Sequence, residues 1–272
     1  MKAFFNSLIL IINYKTFIVT ILSTVATWVC IQLNFLADFN LSMISVAMVF
    51  PIVFAINSAF QRREEALKAL AGIKGLLVAI FLAVKHWREN GKKAENEYLQ
   101  AIEAKTNAIV VAVGKYLIRL DHDVAEFGVY HAISQLSEQL QDMRKVVPGS
   151  DIARLNEYVS LILVHFEELK IIREYRTPIT LRTYSKFFIY SFPVIFAPFF
   201  AASINVFSFA FITYFVPAMY SFILISLINI QEHMEDPFDG IGEDDIKIGA
   251  ARFDNLLFEL DVNHRNDGET VK

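Results

Sequence analysis

The stretch LSMISVAMVFPIVFAINSAF, Leu41 to Phe60, carries no charged residue over its whole length, and the chain turns abruptly polar just after it, at Gln61-Arg62-Arg63-Glu64. About twenty residues rising 1.5 Å each match a hydrocarbon core roughly 30 Å thick. On its N-terminal side, Thr16 to Ala37 is a second uncharged run. Only Asp38-Phe39-Asn40 separates the two, a tight connection that suits a helical hairpin. Far downstream, Phe187 to Gln231 is uncharged again. One helix of that length would be about twice the bilayer thickness, so it divides into two spans with a turn expected at Ala201 to Asn205. Pro193, Pro198 and Pro217 fall inside these spans, where proline is tolerated if neighbours satisfy the freed carbonyls.

Composition agrees. The 272 residues are 55% hydrophobic and 20% charged, with a mean hydropathy of +0.42, whereas soluble domains hold about 45–50% apolar residues. The net charge of −4 gives no basic field for nucleic acid. The single cysteine, Cys30, excludes an internal disulfide framework, a CxxC pair and a cysteine zinc site. Lying in an apolar run, it reads as a buried bystander. No signal peptide is expected, because the first apolar run lacks a small-residue cleavage site and more membrane segment follows.

From Arg62 to Arg182 charges of both signs recur and apolar residues fall at helical spacing. Ala69 to Trp87 reads as a buried bundle helix, and Asn107 to Leu120, Val129 to Val147 and Ile152 to Glu174 as amphipathic helices. Pro148-Gly149-Ser150-Asp151 marks a turn and restart, with Ser150 or Asp151 expected as the cap. Nothing alternates with period two, so no sheet is predicted. After Glu232 the chain is acidic, irregular at first and then helical from about Asp244 to Leu260. The predicted fold is therefore all-α. Residues 1–60 hold an N-terminal segment and two spans (about 16–37 and 41–60). Residues 61–182 form a cytoplasmic helical region, 183–231 two more spans (about 185–203 and 206–231), and 232–272 a cytoplasmic acidic segment. Lys2, Lys15, Arg62, Arg63, Arg182 and Lys186 flank the spans on one side, and the short connections carry no Lys or Arg. The positive-inside rule then puts both termini and the middle helices in the cytoplasm.

No enzyme is legible. The six histidines are scattered, without HExxH, and there is no GxSxG, Walker loop or GxGxxG. His165-Phe166-Glu167-Glu168 could suggest a metal pair, but with no second motif it reads as a solvated helix face. Asp236 to Asp245 fails the calcium-loop pattern, since Phe238 stands where a second ligand belongs and the closing Glu is missing. A carrier is disfavoured too, because the uncharged spans offer no ionisable coupling site. Val46, Phe50 and Phe54 recur at i, i+4 and i+8 and line one face of the second span, with Asn57 and Ser58 extending that side. Such spacing also occurs in ordinary packing.

The residues around that stripe add to it. VAMVFPIVFAINSAFQRREEALKALAG, Val46 to Gly72, resembles the second span of the bestrophin family running into its first cytoplasmic helix. In that family a branched aliphatic and two large apolar residues fall sixteen, twelve and eight positions before an Arg. Counting back from Arg62 gives Val46, Phe50 and Phe54. RTPITLRTYSKFF, Arg176 to Phe188, resembles the family's lead-in to its third span, and EDPFDGIGEDDIKI, Glu235 to Ile246, its Pro-Phe-Gly and acidic segment after the last span. Two departures stand out. The family's Arg-Trp-Trp is here Arg62-Arg63-Glu64, and the Pro-Phe-Gly segment reads Pro237-Phe238-Asp239-Gly240-Ile241-Gly242, as if by a short insertion.

The resemblance implies a homopentameric ion channel in the lipid bilayer, with Val46, Phe50 and Phe54 as the pore neck and chloride or other small anions as permeant ions. A cation-conducting member or a non-conducting scaffold are the alternatives. It also implies a second, cytoplasmic constriction near the end of the last long cytoplasmic helix, where Ile171, Ile172 and Glu174 lie. Asp236, Asp239, Glu243, Asp244 and Asp245 have two readings, a regulatory calcium site as in animal relatives or a solvated turn. No other cofactor is expected. The short chain suggests a bacterial plasma membrane.

Overall fold

The structure, a computed structural model, describes residues 11–38, 41–89, 95–118, 122–175, 178–202, 210–240 and 245–246. These form α1 (Tyr14–Gln32), α2 (Leu41–Glu89), α3 (Glu95–Ile118), α4 (His122–Asp142), a 3₁₀ turn (Met143–Lys145), α5 (Gly149–Glu174), α6 (Ile179–Ile195), α7 (Ala197–Ala202) and α8 (Ala210–Met234), with no strand among the described residues. The all-α expectation holds. Among the described residues four helical stretches are long and apolar enough to cross a membrane: Tyr14–Gln32, Val49–His86, one within Gly149–Ala202, and Phe211–Met234.

Local chemistry sets the ends. Asn13 caps α1, its side-chain oxygen accepting from the N–H groups of Lys15 and Thr16 at 3.0 and 3.3 Å. The uncharged run continues to Ala37, yet α1 stops at Gln32. Asn34 adopts a left-handed φ of 50° and the Phe35 N–H bonds back to the Cys30 carbonyl at 2.9 Å, a Schellman closure. α2 runs unbroken for 49 residues. Its polar stretch from Gln61 to Lys68 consists of good helix formers, so the second span and the next helix fuse. α5 is capped by Pro148 (φ −57°, ψ 141°) rather than by Ser150 or Asp151. Proline already holds the extended cap conformation, and Asp151 sits in the first turn, where its charge favours the helix N-terminus. Of the turn expected at Ala201 to Asn205, Ala201 and Ala202 belong to α7 and Ser203 to Asn205 lie outside the described residues, as does the helix expected near Asp244 to Leu260 apart from Asp245 and Ile246, which are not helical.

The chain divides into two compact units, Met1–Arg63 with Arg176–Asp245 and Glu64–Tyr175 with Ile246–Lys272. The first unit has an apolar core of Val19 from α1, Ile52 from α2, Ile189 and Phe192 from α6, Phe200 from α7, and Leu224, Ile225 and Ile228 from α8. Phe192 stacks between Phe196 (4.4 Å between ring centres) and Tyr220 (4.9 Å). α1 buries small polar residues, Thr16, Ser23 and Thr27, and Ser23 donates its hydroxyl to the Pro217 carbonyl at 3.2 Å. Small residues let helices approach closely where lipid provides no hydrophobic drive between them. The opposite side of α1, with Phe17, Ile21, Val25 and Trp28, stays exposed.

In the second unit, fully buried Phe166 of α5 packs edge-on against Tyr116 of α3 (5.2 Å) and Tyr130 of α4 (5.6 Å). The tyrosine hydroxyls donate to Glu174 (3.2 Å) and Glu167, and Lys170 donates to Glu126. Gly72 of α2 meets the His165 ring of α5 so closely that a Cβ there would lie 2.5 Å from Nε2. A Gly72→Ala change must therefore displace His165. Expected is a loss of about 1–3 kcal/mol, the usual effect of overpacking, largely recovered in Gly72→Ala/His165→Ala. Equal losses in both variants, measured by chemical unfolding, would show that the close approach is not responsible.

Burial, followed by the bond to Glu167, pushes the Tyr130 hydroxyl up to about 12. A raised folded value means this contribution is complete below the ordinary tyrosine range of about 10 and disappears as pH climbs through about 12. The thermal midpoint of the wild type should fall across that window, and Tyr130→Phe should flatten the fall. A Tyr130→Phe profile that tracks the wild type would rule this out.

Candidate functional site

Val46, Phe50 and Phe54 lie on one face of α2, with relative exposures of 56%, 57% and 58%, while Ile52, Ala55 and Ala59 on the other side are completely buried. The Phe50 and Phe54 rings touch, 5.5 Å apart and tilted by 52°. The face is wider than the three residues read from spacing, because Val53 is 53% exposed and Phe60 47%. Asn57 continues it and Ser58 is half-buried. Pro51, one position after Phe50, has no N–H to give the Ala47 carbonyl its helical bond. The result is an uncharged aromatic face that the described residues of the chain leave open.

The residues near the end of α5 do not share one environment. Ile171 is 58% exposed and Ile172 buried at 9%, while Glu174 is exposed and accepts the Tyr116 hydroxyl. His165 Nδ1 sits 2.9 Å from Glu168 Oε2, and both border a cavity of about 470 Å³ with Glu65, Lys68 and Ile172. Among the described residues no three His, Cys, Asp or Glu side chains converge as a metal site.

Residues 236–240, the described start of the acidic segment, form a tight turn after α8. Asp236 Oδ1 accepts from the Phe238 N–H at 3.2 Å, Phe238 is buried, and Gly240 takes φ +73°. Asp239 and Asp245 make further interactions of their own. Glu243 and Asp244 lie outside the described residues. The described carboxylates do not converge as a calcium site would require.

Sequence reasoning missed the polar contacts at one end of the first unit. Arg182 of α6 donates to Glu235 Oε2 at 3.1 Å, and Glu235 is only 4% exposed. Lys15 of α1 and Lys186 of α6 both reach Glu232 of α8. Asn229, 1% exposed, donates to the Ile11 carbonyl (2.6 Å) and to Thr16 (3.0 Å) and accepts from Asn13 (3.1 Å). These partners lie 46 to 218 residues apart, so no local spacing rule reveals them. The only signal was polar residues at the margins of the apolar runs.

An all-helical chain with four membrane-length apolar stretches and an open aromatic face defines a helical integral membrane protein. No family model matches the sequence, and no curated protein does. Solved structures do match. A bacterial bestrophin homologue from Klebsiella pneumoniae, phased on zinc, superposes with a TM-score of 0.73 at 14% identity, over 90% of this chain and 97% of that one. Two point mutants of a bestrophin homologue from the same bacterium give 0.76 at 13% identity and 0.75 at 15%, again over 90% of this chain and over 98% and 96% of theirs. The chain thus has the bestrophin fold, in agreement with the resemblance carried by Val46 to Gly72.

Arg182→Met leaves the buried Glu235 carboxylate without its cation and should lower stability by about 3–5 kcal/mol. Adding Glu235→Gln should restore most of it. Unfolding curves in detergent decide, and a single variant as stable as the wild type would show the pair to be dispensable.

Proposed function

We propose that this chain is the subunit of an ion channel, a homopentamer whose central pore passes chloride or other small anions. The observation that carries the reading is the exposed, uncharged face of Val46, Phe50 and Phe54 on α2 of a bestrophin fold. Copies of α2 around an axis would turn that face into stacked apolar rings. An ion must shed water to pass such a neck, and small changes in radius wet or dry it. Phenylalanine edges are electropositive and can face an anion, so the neck suits anions without fixed charge. The same uncharged lining argues against a coupled carrier. We place the channel in a bacterial plasma membrane with both termini cytoplasmic, following the basic residues around the spans. The acidic segment we take as a solvated turn with no resident ion, since Asp236 spends an oxygen on its own loop.

Liposome flux under opposed chloride and sodium gradients tests this reading. Chloride-driven current is expected from the wild type. The Val46→Ala/Phe50→Ala/Phe54→Ala variant should conduct at least roughly tenfold more, equivalent to removing about 1.4 kcal/mol of dehydration barrier. Sodium-driven current would reverse the selectivity while keeping the channel. No flux from either protein, as a folded oligomer, would leave a scaffold.

A further inference from the structure

Two ammonium groups converge on one carboxylate at an end of the first unit. Lys15, the second residue of α1, lies 3.4 Å from Glu232 Oε2, and Lys186 of α6 contacts Oε1 of the same group. A lysine carries three donors, so after this sharing each ammonium keeps N–H groups to give, and the set retains one positive charge. Neighbouring acids do not cancel it. Glu235 is taken by Arg182, and Asp236 turns into the loop after α8. The lysine side chains are 36% and 38% exposed, so the charge faces outward.

The surroundings specify what meets that charge. One helical turn from Lys15 stands Ile18, 58% exposed. One turn from Lys186 stands Tyr190, 37% exposed, which also lies near Lys15. Tyr14 and Phe187 flank the pair, 70% and 64% exposed. Tyrosines at the charge and apolar side chains just beyond it make the profile of a membrane interface, with wet groups at headgroup level and hydrocarbon beyond. A free phosphate would use the ammoniums alone. A lipid uses both halves.

We propose that Lys15 and Lys186 hold the phosphate of an anionic phospholipid, with its acyl chains along Ile18, Phe187 and Tyr190. The site depends on the membrane placement of the spans and is independent of conduction.

The test is the thermal midpoint of the full chain in detergent at 0.15 M salt, with phosphatidylglycerol, phosphatidylcholine or inorganic phosphate added in turn. Phosphatidylglycerol should raise the midpoint by roughly 2–4 °C above phosphatidylcholine, with no effect from phosphate. Lys15→Gln/Lys186→Gln should lose the difference. Because that variant leaves Glu232 without a cation, Lys15→Gln/Lys186→Gln/Glu232→Gln removes the whole charged set and should lose it too, whereas Lys15→Arg/Lys186→Arg should keep it. Equal shifts from the two lipids, the same shift from phosphate, or a preference surviving in the triple variant would each overturn the site.

Discussion

Inside a hydrocarbon layer no water is available to a backbone N–H or carbonyl, so each must find its partner within the chain. That constraint accounts for the all-helical spans. It also explains why their irregular points coincide with compensating bonds. α1 ends by folding the Phe35 N–H back to Cys30 rather than leaving its last carbonyls open. Across the helix interface Ser23 of α1 donates its hydroxyl to the Pro217 carbonyl of α8, so that buried hydroxyl is also satisfied. Buried Asn229 would be expensive if any of its groups lacked a partner, and it is bonded through both ends of its amide.

With backbone polarity settled, packing decides the rest. In the first unit helices approach through small residues on α1 and interlock through rings on α6, α7 and α8, where Phe192 lies between Phe196 and Tyr220. Dispersion between close-packed atoms does there what the hydrophobic effect does in water. The second unit combines both kinds of chemistry. Phe166 is wedged between two tyrosines whose hydroxyls extend to carboxylates, so one cluster is apolar at its centre and charged at its rim.

Much of this was legible in the residues, for a physical reason. Absence of charge over about twenty positions is a bulk property, and the runs at Thr16, Leu41 and Phe187 announced the spans whatever their neighbours did. The face of Val46, Phe50 and Phe54 was equally visible, since helical period needs no tertiary knowledge. Boundaries were less so. The halt of α1 at Gln32 depends on Asn34 entering a left-handed conformation that an apolar run does not advertise. The fusion of the second span with the following helix hid behind the polar residues Gln61 to Lys68, which change the solvent but not the helix. The charge pairs Arg182–Glu235 and Lys186–Glu232 were invisible, because only the folded chain brings them together.

The Asn13–Asn229 and Ser23–Pro217 contacts have a consequence for how the protein is made. Their partners are separated by 216 and 194 residues. At a synthesis rate of about 5–20 residues per second, roughly 10–40 s pass between the emergence of α1 and that of α8. Until α8 is made, Ser23 and Thr27 cannot draw on its backbone. Their hydroxyls can bond to carbonyls one turn back on α1, as Thr27 does to Ser23 at 2.9 Å and Thr20 to Thr16 at 2.7 Å. The first span thus satisfies Thr20 and Thr27 within itself and keeps those bonds in the folded chain, and the final helix adds the Ser23–Pro217 contact to a largely self-contained span.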